Sequence, residues 1–331
     1  MDEHSDFNDR KGLLVFFGIV KLFFGAVSFL FFILIFISII FLQNAPVEGA
    51  RQYSAGSALP GALMYLALAV ILIILGIGSI KKTKWARSLT LLLSWMVFIV
   101  GIVCTIFMAF FINDIYYNAN PAFSDNPALL FFIKVFMFVF YIVFLIIIPG
   151  IFILVYKSSN VIRTVQKYDT KERWTDRCPL PLLALCLFLL YGSILPLFMI
   201  LAGFVIPFFG TFITGLPAAV LLCINSVICI YLAIQVYKVN IQAWYYSVCL
   251  YVFWMVSVFI TRIFHDYIEI YKLMDIPSAQ LRTIENMGFL KTNKIFILSI
   301  MSTLLFLLFL FYTKKFFNSA KSTETEQGPI S

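Results

Sequence analysis

A run of sixty residues without one charged side chain, residues 178–237, is the feature that most constrains how this chain can fold. The chain as a whole is 62% hydrophobic and 12% charged, whereas about a quarter of the residues in soluble domains are charged. A water-soluble fold of this size could not cover so much apolar surface with polar side chains. Because a helix needs about 20 apolar residues to cross a bilayer, the run is long enough for two crossings. The sequence therefore predicts an integral membrane protein.

Uncharged runs of similar length predict eight membrane-spanning helices. The sixty-residue run is broken at residues 207–210, Pro-Phe-Phe-Gly, so we divide it there into two spans joined by a tight connection. Lys21 and Lys134 lie at span edges, and we expect Lys21 to extend towards the headgroups, since a lysine at the bilayer centre costs roughly 3 kcal/mol. Pro149 is expected to kink the fourth span. The predicted spans are residues 22–42, 59–80, 88–112, 135–156, 181–206, 215–237, 243–261 and 295–313.

The distribution of Lys and Arg predicts that both termini are cytoplasmic. Sixteen of these residues fall on the side that holds the N-terminus, the loop at 81–87, the linker at 157–177, Lys238 after the sixth span and the C-terminal tail, against six on the other side. Short cytoplasmic loops carry the excess of Lys and Arg in membrane proteins. The chain is therefore predicted to be a multi-pass protein of the cell membrane with this side inward.

The two halves of the chain share an ordered set of landmarks, which predicts an internal duplication. The pattern Trp-x2-Ser-x6-Trp begins at Trp85 and recurs 159 residues later at Trp244. Four spans in each half make both halves enter the membrane from the same side, so we expect an all-α fold of two tandem four-helix modules in parallel orientation. The other matched landmarks are Asp9-Arg10 with Asp176-Arg177, Gly25 with Gly192, Leu59-Pro60 with Leu216-Pro217, Lys81 with Lys238, and Lys134-Val135-Phe136 with Lys294-Ile295-Phe296.

The segment between the modules is basic and has a helical pattern of apolar residues. Val161, Val165 and Tyr168 recur at helical spacing, with cationic residues between them. This pattern is typical of an amphipathic helix lying on anionic headgroups, but it equally fits a solvated extension of the fourth span. The predicted segments are a first module at 1–156, a cytoplasmic linker at 157–177, a second module at 178–315 and a cytoplasmic tail at 316–331.

The few polar or bulky amphipathic side chains inside the spans are the candidate functional positions. Asn225 lies near the middle of the sixth span and must find a hydrogen-bond partner on another helix or on the backbone. Trp95 and Trp254 each lie ten residues beyond an interfacial tryptophan, about 15 Å deeper. Ser88 shares a helix face with Trp95, and Ser247 shares one with Trp254. We expect these faces to meet at or near a seam between the modules, either as packing residues or as the lining of a cavity.

No residue pattern predicts a catalytic centre, a metal site or a cofactor. The sequence contains no His-Glu-x-x-His motif, and its spans carry no paired carboxylates. His265 and Glu269 are four residues apart, but without a second histidine we interpret them as part of an interfacial ion-pair cluster with Arg262 and Asp266. The basic residues sit beside apolar runs, so lipid and other membrane proteins are the expected partners, and nucleic acid is not.

A short segment carries a family resemblance. Residues 76–80, Gly-Ile-Gly-Ser-Ile, are followed by a basic turn and by Trp85-Ala86-Arg87, and Asp9-Arg10-Lys11-Gly12 lies near the N-terminus. This combination resembles uncharacterised bacterial four-span membrane proteins with a glycine-rich span end and a Trp-Ala-Arg helix start. The resemblance covers about the first three spans, and in the second half only Ala243-Trp244 remains. It implies a bacterial inner membrane and no particular activity.

Three functions are compatible with these features. A non-enzymatic scaffold, sensor or accessory subunit fits the scarcity of charge inside the spans. A transporter or channel for a small solute, with a pathway between the modules, fits the parallel duplication. A membrane enzyme has no supporting set of residues. The sequence does not identify a small-molecule substrate.

Overall fold

The computed structural model describes residues 8–44, 55–119, 127–199, 203–274 and 293–326, together with residues 281, 282 and 285. Helices make up nearly all of these ranges. Seven of the helices are long and apolar enough to cross a bilayer, and an eighth, shorter apolar helix covers Leu180–Ile194. The prediction of a helical, multi-pass membrane protein is therefore confirmed in its general form.

The described elements are helices and two short strands. In chain order they are α1 (Lys11–Asn44), α2 (Ala55–Ile80), α3 (Lys84–Ala119), α4 (Pro127–Tyr141), a π-helical segment (Ile142–Ile147), α5 (Ile148–Lys157), α6 (Ser159–Tyr168), a 3-10 turn (Trp174–Asp176), α7 (Leu180–Met199), β1 (Ile206–Phe208), β2 (Thr211–Ile213), α8 (Gly215–Tyr237), α9 (Ile241–Phe264), α10 (Tyr267–Leu273) and α11 (Asn293–Glu326). They form two compact units, of which unit 1 comprises residues 1–108 and 133–177 and unit 2 comprises residues 109–132 and 178–331.

Unit 1 is organised by a close approach of α1 and α2. A Cβ atom on Gly76 would lie 2.9 Å from the carbonyl oxygen of Gly18, and a Cβ on Gly18 would lie 2.9 Å from that of Gly76. One heptad away, a Cβ on Gly25 would lie 3.3 Å from the carbonyl oxygen of Ala69. Small residues at such crossings let helix backbones touch, and this is a main source of helix association in lipid, where hydrophobic burial contributes little.

The fourth predicted span is a composite helix because of its proline. Pro149 has no N–H to donate to the carbonyl of Leu145, and its ring displaces that carbonyl. The helix accommodates this by a π-helical segment that ends just before Pro149. The Leu145 carbonyl lies directly against Gly101 of α3, at a position that a Cβ atom would occupy.

The linker folds onto the end of unit 1. Ser158 separates α6 from α5 with extended backbone and caps α6 by accepting a hydrogen bond from the N–H of Val161. Val161 and Val165 are buried within the protein, and the backbone N–H of Arg10 donates to the hydroxyl of Thr164 at 3.0 Å. The helix is thus amphipathic, as its spacing indicates. Its apolar face contacts protein, so it is neither a continuation of the fourth span nor a helix with its valines in the headgroups.

Asp169 joins the linker to the start of α3. Its carboxylate accepts from the backbone N–H of Lys84 at 3.0 Å, which caps α3, and it forms an ion pair with Arg173 at 3.0 Å. Partial burial opposes ionisation, but the hydrogen bonds from Arg173 and Lys84 outweigh it and hold the pKa of Asp169 below its ordinary value. The basic loop and the linker therefore form one connected surface at this end of unit 1.

Unit 2 contains a β-hairpin at the tight connection expected from residues 207–210. Ile206 pairs with Ile213 and Phe208 with Thr211, which leaves Phe209 and Gly210 as a two-residue turn. Both turn residues have positive φ, 43° and 93°, as a type I′ turn requires. The backbone N–H groups of the turn donate to side chains on α9, from Phe209 to Ser257 at 3.1 Å and from Gly210 to Thr261 at 3.0 Å.

We predict that adding one methyl group at the crossing of α1 and α2 destabilises the protein. Gly76→Ala places a carbon 2.9 Å from the Gly18 carbonyl and from the side chain of Leu22, and overpacking of this kind costs about 1–3 kcal/mol. Gly61→Ala is the matched control on the same helix, because a Cβ there meets nothing within 4 Å. Thermal unfolding in detergent should show a lower midpoint for Gly76→Ala only. Equal midpoints for both variants would contradict the close approach.

Candidate functional site

A buried lysine lies between the helices of unit 1. Lys21 lies on α1 and is only 3% exposed. Its ammonium group donates to three hydroxyl oxygens on three other helices: Ser79 at 2.7 Å, Thr90 at 2.8 Å and Tyr156 at 2.9 Å. The Tyr156 hydroxyl also donates to Ser79 at 3.1 Å. The three donors of the ammonium group are thus all used, and Lys21 connects α1, α2, α3 and α5.

Aromatic rings complete the surroundings of this group. The Lys21 nitrogen lies 4.5 Å from the ring centroid of Tyr156 and 5.6 Å from that of Phe152. Cation–π contacts of this kind are worth more where water is excluded. Among the described residues no carboxylate forms an ion pair with Lys21. Hydroxyl oxygens and ring faces therefore solvate this ammonium group in place of water.

The position of Lys21 differs from the expectation that its side chain extends towards the headgroups. Ser79 and Tyr156 each lie within two residues of the ends of α2 and α5, so the lysine is close to that end of the bundle, but it points inward. A protein interior that offers three acceptors is better for an ammonium group than a long reach to water. The sequence contains one indication of these acceptors. Each of the three other helices has a side chain with a hydroxyl group near the same end of the bundle.

A cavity of about 310 Å³, about half open to its surroundings, lies in unit 2. This is about twice the size of an apolar cavity that admits benzene. Its walls come from α7, α8, α9 and α11, and the residues at the start of the hairpin line it as well. Most of the lining is apolar, and no Asp, Glu, Lys, Arg or His is among the described residues that form it. The apolar lining includes Leu185, Phe188, Leu222, Leu250 and Phe306.

One hydrogen bond between helices gives the cavity a defined polar group. The indole Nε1 of Trp254 on α9 donates to the Oδ1 of Asn225 on α8 at 2.8 Å. An indole nitrogen can only donate, so the oxygen of the amide must face Trp254. The amide nitrogen of Asn225 is then the donor on the opposite side, next to the thiol of Cys229 in the cavity wall. Asn225 thus has the cross-helix partner that an amide in a membrane span requires.

Three of the five residues expected from the sequence line this cavity: Trp254, Ser247 and Asn225. The Ser247 hydroxyl donates to the carbonyl of Ala243 within its own helix at 2.7 Å. The other two lie in unit 1, where Ser88 is buried and Trp95 is 42% exposed, with its ring against Phe98. That these faces meet at a seam between the modules stays a prediction.

The charged cluster after α9 consists of local pairs. Arg262 bonds Asp266 at 2.6 Å, and His265 bonds Glu269 at 2.7 Å. The hydrogen bond from His265 holds the pKa of Glu269 below its ordinary value. Within the described ranges no three His, Cys, Asp or Glu side chains are grouped so that they could hold a metal ion. The cluster has the form of the interfacial ion pairs expected from the spacing.

Comparison with protein-family models, curated proteins and solved structures finds no match to this chain.

We predict an energetic coupling between Lys21 and Tyr156. Tyr156→Phe removes one acceptor from a buried ammonium group, and hydrogen bonds to charged groups are worth about 1.5–3 kcal/mol. In a Lys21→Met background the same change should cost much less, because the hydroxyl then loses only its bond to Ser79. A double-mutant cycle on the free energy of unfolding in mixed micelles should give a coupling of about 1–2 kcal/mol. Additive effects of the two substitutions would contradict the network. Lys11→Met, at an exposed position on the same helix, is the control for loss of a cation.

Proposed function

We propose that this chain is a non-enzymatic membrane protein, a sensor or accessory subunit, whose second unit binds an apolar small molecule. The cavity inside unit 2 is the observation that carries this proposal. Binding sites for small molecules are typically concave and mostly apolar, with a few polar groups that orient the ligand. The cavity has this composition, with Asn225 and Trp254 as the directional pair.

The titratable groups support binding rather than catalysis. General acid–base chemistry needs side chains that exchange protons within hydrogen-bond reach of a substrate. The cavity lining offers only a cysteine, Cys229, and a tyrosine, Tyr251, among such groups. Lys21 lies in unit 1 and its donors are engaged by three hydroxyls. These features favour a protein that responds to an occupant without changing it chemically.

We further propose eight spans in two parallel modules, with both termini in the cytoplasm of a bacterial cell. The short apolar helix α7 is the eighth span, since its 20 residues reach about 30 Å, the thickness of the hydrocarbon core. The element order supports the duplication, because each half contributes four apolar helices and the landmark tryptophans Trp85 and Trp244 each lie in the first turn of the third of them. The excess of Lys and Arg supports the orientation.

Labelling from outside the cell tests this topology. In a background with all native cysteines replaced, Thr211→Cys, at the exposed first residue of β2 next to the hairpin turn, should react with a membrane-impermeant maleimide on intact cells. Lys81→Cys in the basic loop should react only after the membrane is permeabilised. Reaction of both positions from the same side would show that α7 does not cross the bilayer, and would remove the eighth span from the proposal.

Ligand binding is tested by filling the cavity. Gly192 lines it, and a Cβ atom there would meet only the Cys229 sulfur at 3.7 Å, so Gly192→Leu adds bulk to the cavity without a backbone clash. A brominated single-chain lipid should quench the fluorescence of Trp254 saturably in nanodiscs, and Gly192→Leu should weaken that binding about tenfold or more, as expected when an occupant must compete with a side chain for space.

Two variants serve as controls for the quenching. Trp254→Phe identifies the part of the signal that comes from this tryptophan. Gly150→Leu adds the same side chain at a helical glycine outside the cavity, where a Cβ would meet only Phe98 at 3.8 Å. Quenching that is linear in bromolipid, or equal in Gly192→Leu and Gly150→Leu, would mean that the probe contacts the protein only from the surrounding bilayer.

Transport of a small uncharged solute is the second candidate function. The observation in its favour is that the cavity is lined by both Asn225 and Trp254, the polar pair expected near the middle of their spans. A transporter would carry the bound molecule across the membrane, whereas a sensor would hold it. Flux of a bound neutral solute into proteoliposomes, abolished by Gly192→Leu, would decide for transport.

A further inference from the structure

The cavity in unit 2 has a chemical selectivity that can be derived from its polar atoms, on the basis of the proposed binding function. Since no charged side chain is among the described residues that line it, a charged group entering it would lose its hydration without a counter-charge. Burial of an unpaired ion is among the most unfavourable events in a protein interior. The occupant, or the part of it inside the cavity, is therefore uncharged.

The hydrogen bonds already formed in the wall limit which polar contacts an occupant can make. The Ser247 hydroxyl donates its proton to the carbonyl of Ala243 on its own helix, and the Tyr251 oxygen has a hydrogen bond with the side chain of Thr303 on α11. Trp254 has committed its single N–H to the oxygen of Asn225. The amide nitrogen of Asn225 faces the Cys229 thiol, and a thiol sulfur is a weak acceptor. An oxygen atom placed there would be the better partner for this N–H group.

We propose that the unit 2 cavity takes a neutral single-chain lipid bearing one hydroxyl or carbonyl oxygen, that this oxygen accepts a hydrogen bond from the amide nitrogen of Asn225, and that the chain lies among the apolar walls. Trp254 is the positioning residue, because its N–H fixes which end of the amide is presented. Asn225 is the specificity-determining residue. The aromatic pair Phe188 and Phe306, with ring centroids 4.0 Å apart, forms a flat apolar surface for the chain.

The test is a competition experiment with four amphiphiles of equal chain length. The full-length protein in nanodiscs is loaded with the brominated probe, and displacement is measured with the n-alkane, the primary alcohol, the fatty acid as carboxylate and the alkyltrimethylammonium ion. The alcohol should displace the probe about fivefold better than the alkane, the value of one neutral hydrogen bond. The two ions should be tenfold or more weaker than the alcohol.

Two variants assign the preference to Asn225. Asn225→Leu keeps the size of the side chain and removes its donor, so the advantage of the alcohol over the alkane should disappear while the alkane still binds. Ser226→Ala is the matched control, because it removes a hydroxyl at the next position of α8 that donates to the carbonyl of Leu222 within its own helix at 2.9 Å and does not line the cavity, and it should leave the advantage unchanged.

The outcomes separate this inference from the proposed function. Equal displacement by all four compounds, or an alcohol preference that survives Asn225→Leu, would overturn the assigned ligand class while binding itself stands. Strong displacement by either ion would also overturn it. Absence of saturable probe binding in the unmodified protein would refute both the ligand class and the binding function. Should Asn225→Leu fail to fold, the ranking of the four compounds on the unmodified protein still decides the question.

Discussion

Unit 1 depends on the ammonium group of Lys21, because a cation inside a helical bundle must be solvated by the protein itself. Three hydroxyl oxygens from three other helices replace the water that the group loses. Each of these helices is thereby fixed in rotation as well as in position, since a hydroxyl turned away would leave the ammonium group short of an acceptor. The glycine contacts between α1 and α2 bring the backbones together without such directionality. The lysine supplies the specificity that close packing lacks.

The proposed duplication would give the two halves one architecture with two different interiors. At the offset that pairs Gly25 with Gly192, Lys21 pairs with Phe188. Gly25 is pressed against α2, whereas a Cβ on Gly192 would meet one sulfur atom at ordinary distance. Phe188 lines the cavity and stacks on Phe306. In the proposed alignment, corresponding positions thus hold a buried lysine and a close helix crossing in unit 1. In unit 2 they hold an aromatic ring in the cavity wall and a glycine beside open space.

The sequence predicts those features that depend on local composition. Long apolar runs require helices in lipid, because backbone polar groups there must be satisfied internally, and residues 207–210 require a turn. The partner of Asn225 was foreseeable in kind, since a buried amide cannot remain unpaired. Trp254 could not be named as that partner, because its distance from Asn225 is set by how α8 and α9 pack. Lys21 was misplaced for the same reason: its acceptors are distant in sequence. The spacing of Val161 and Val165 identified an amphipathic helix, but amphipathicity does not distinguish lipid from protein as the apolar surroundings.

The side-chain amide of Asn225 distinguishes the cavity from a packing defect. A void lined only by apolar residues weakens a bundle and offers an occupant no orientation. An amide in that wall adds a desolvation cost, which the hydrogen bond from Trp254 offsets on one side only. A leucine at position 225 would have no amide to desolvate and would need no hydrogen bond from Trp254. The proposed binding function accounts for the pair: Trp254 holds the amide oxygen, and the amide nitrogen, next to the Cys229 thiol in the cavity wall, is the donor that the proposal assigns to an occupant.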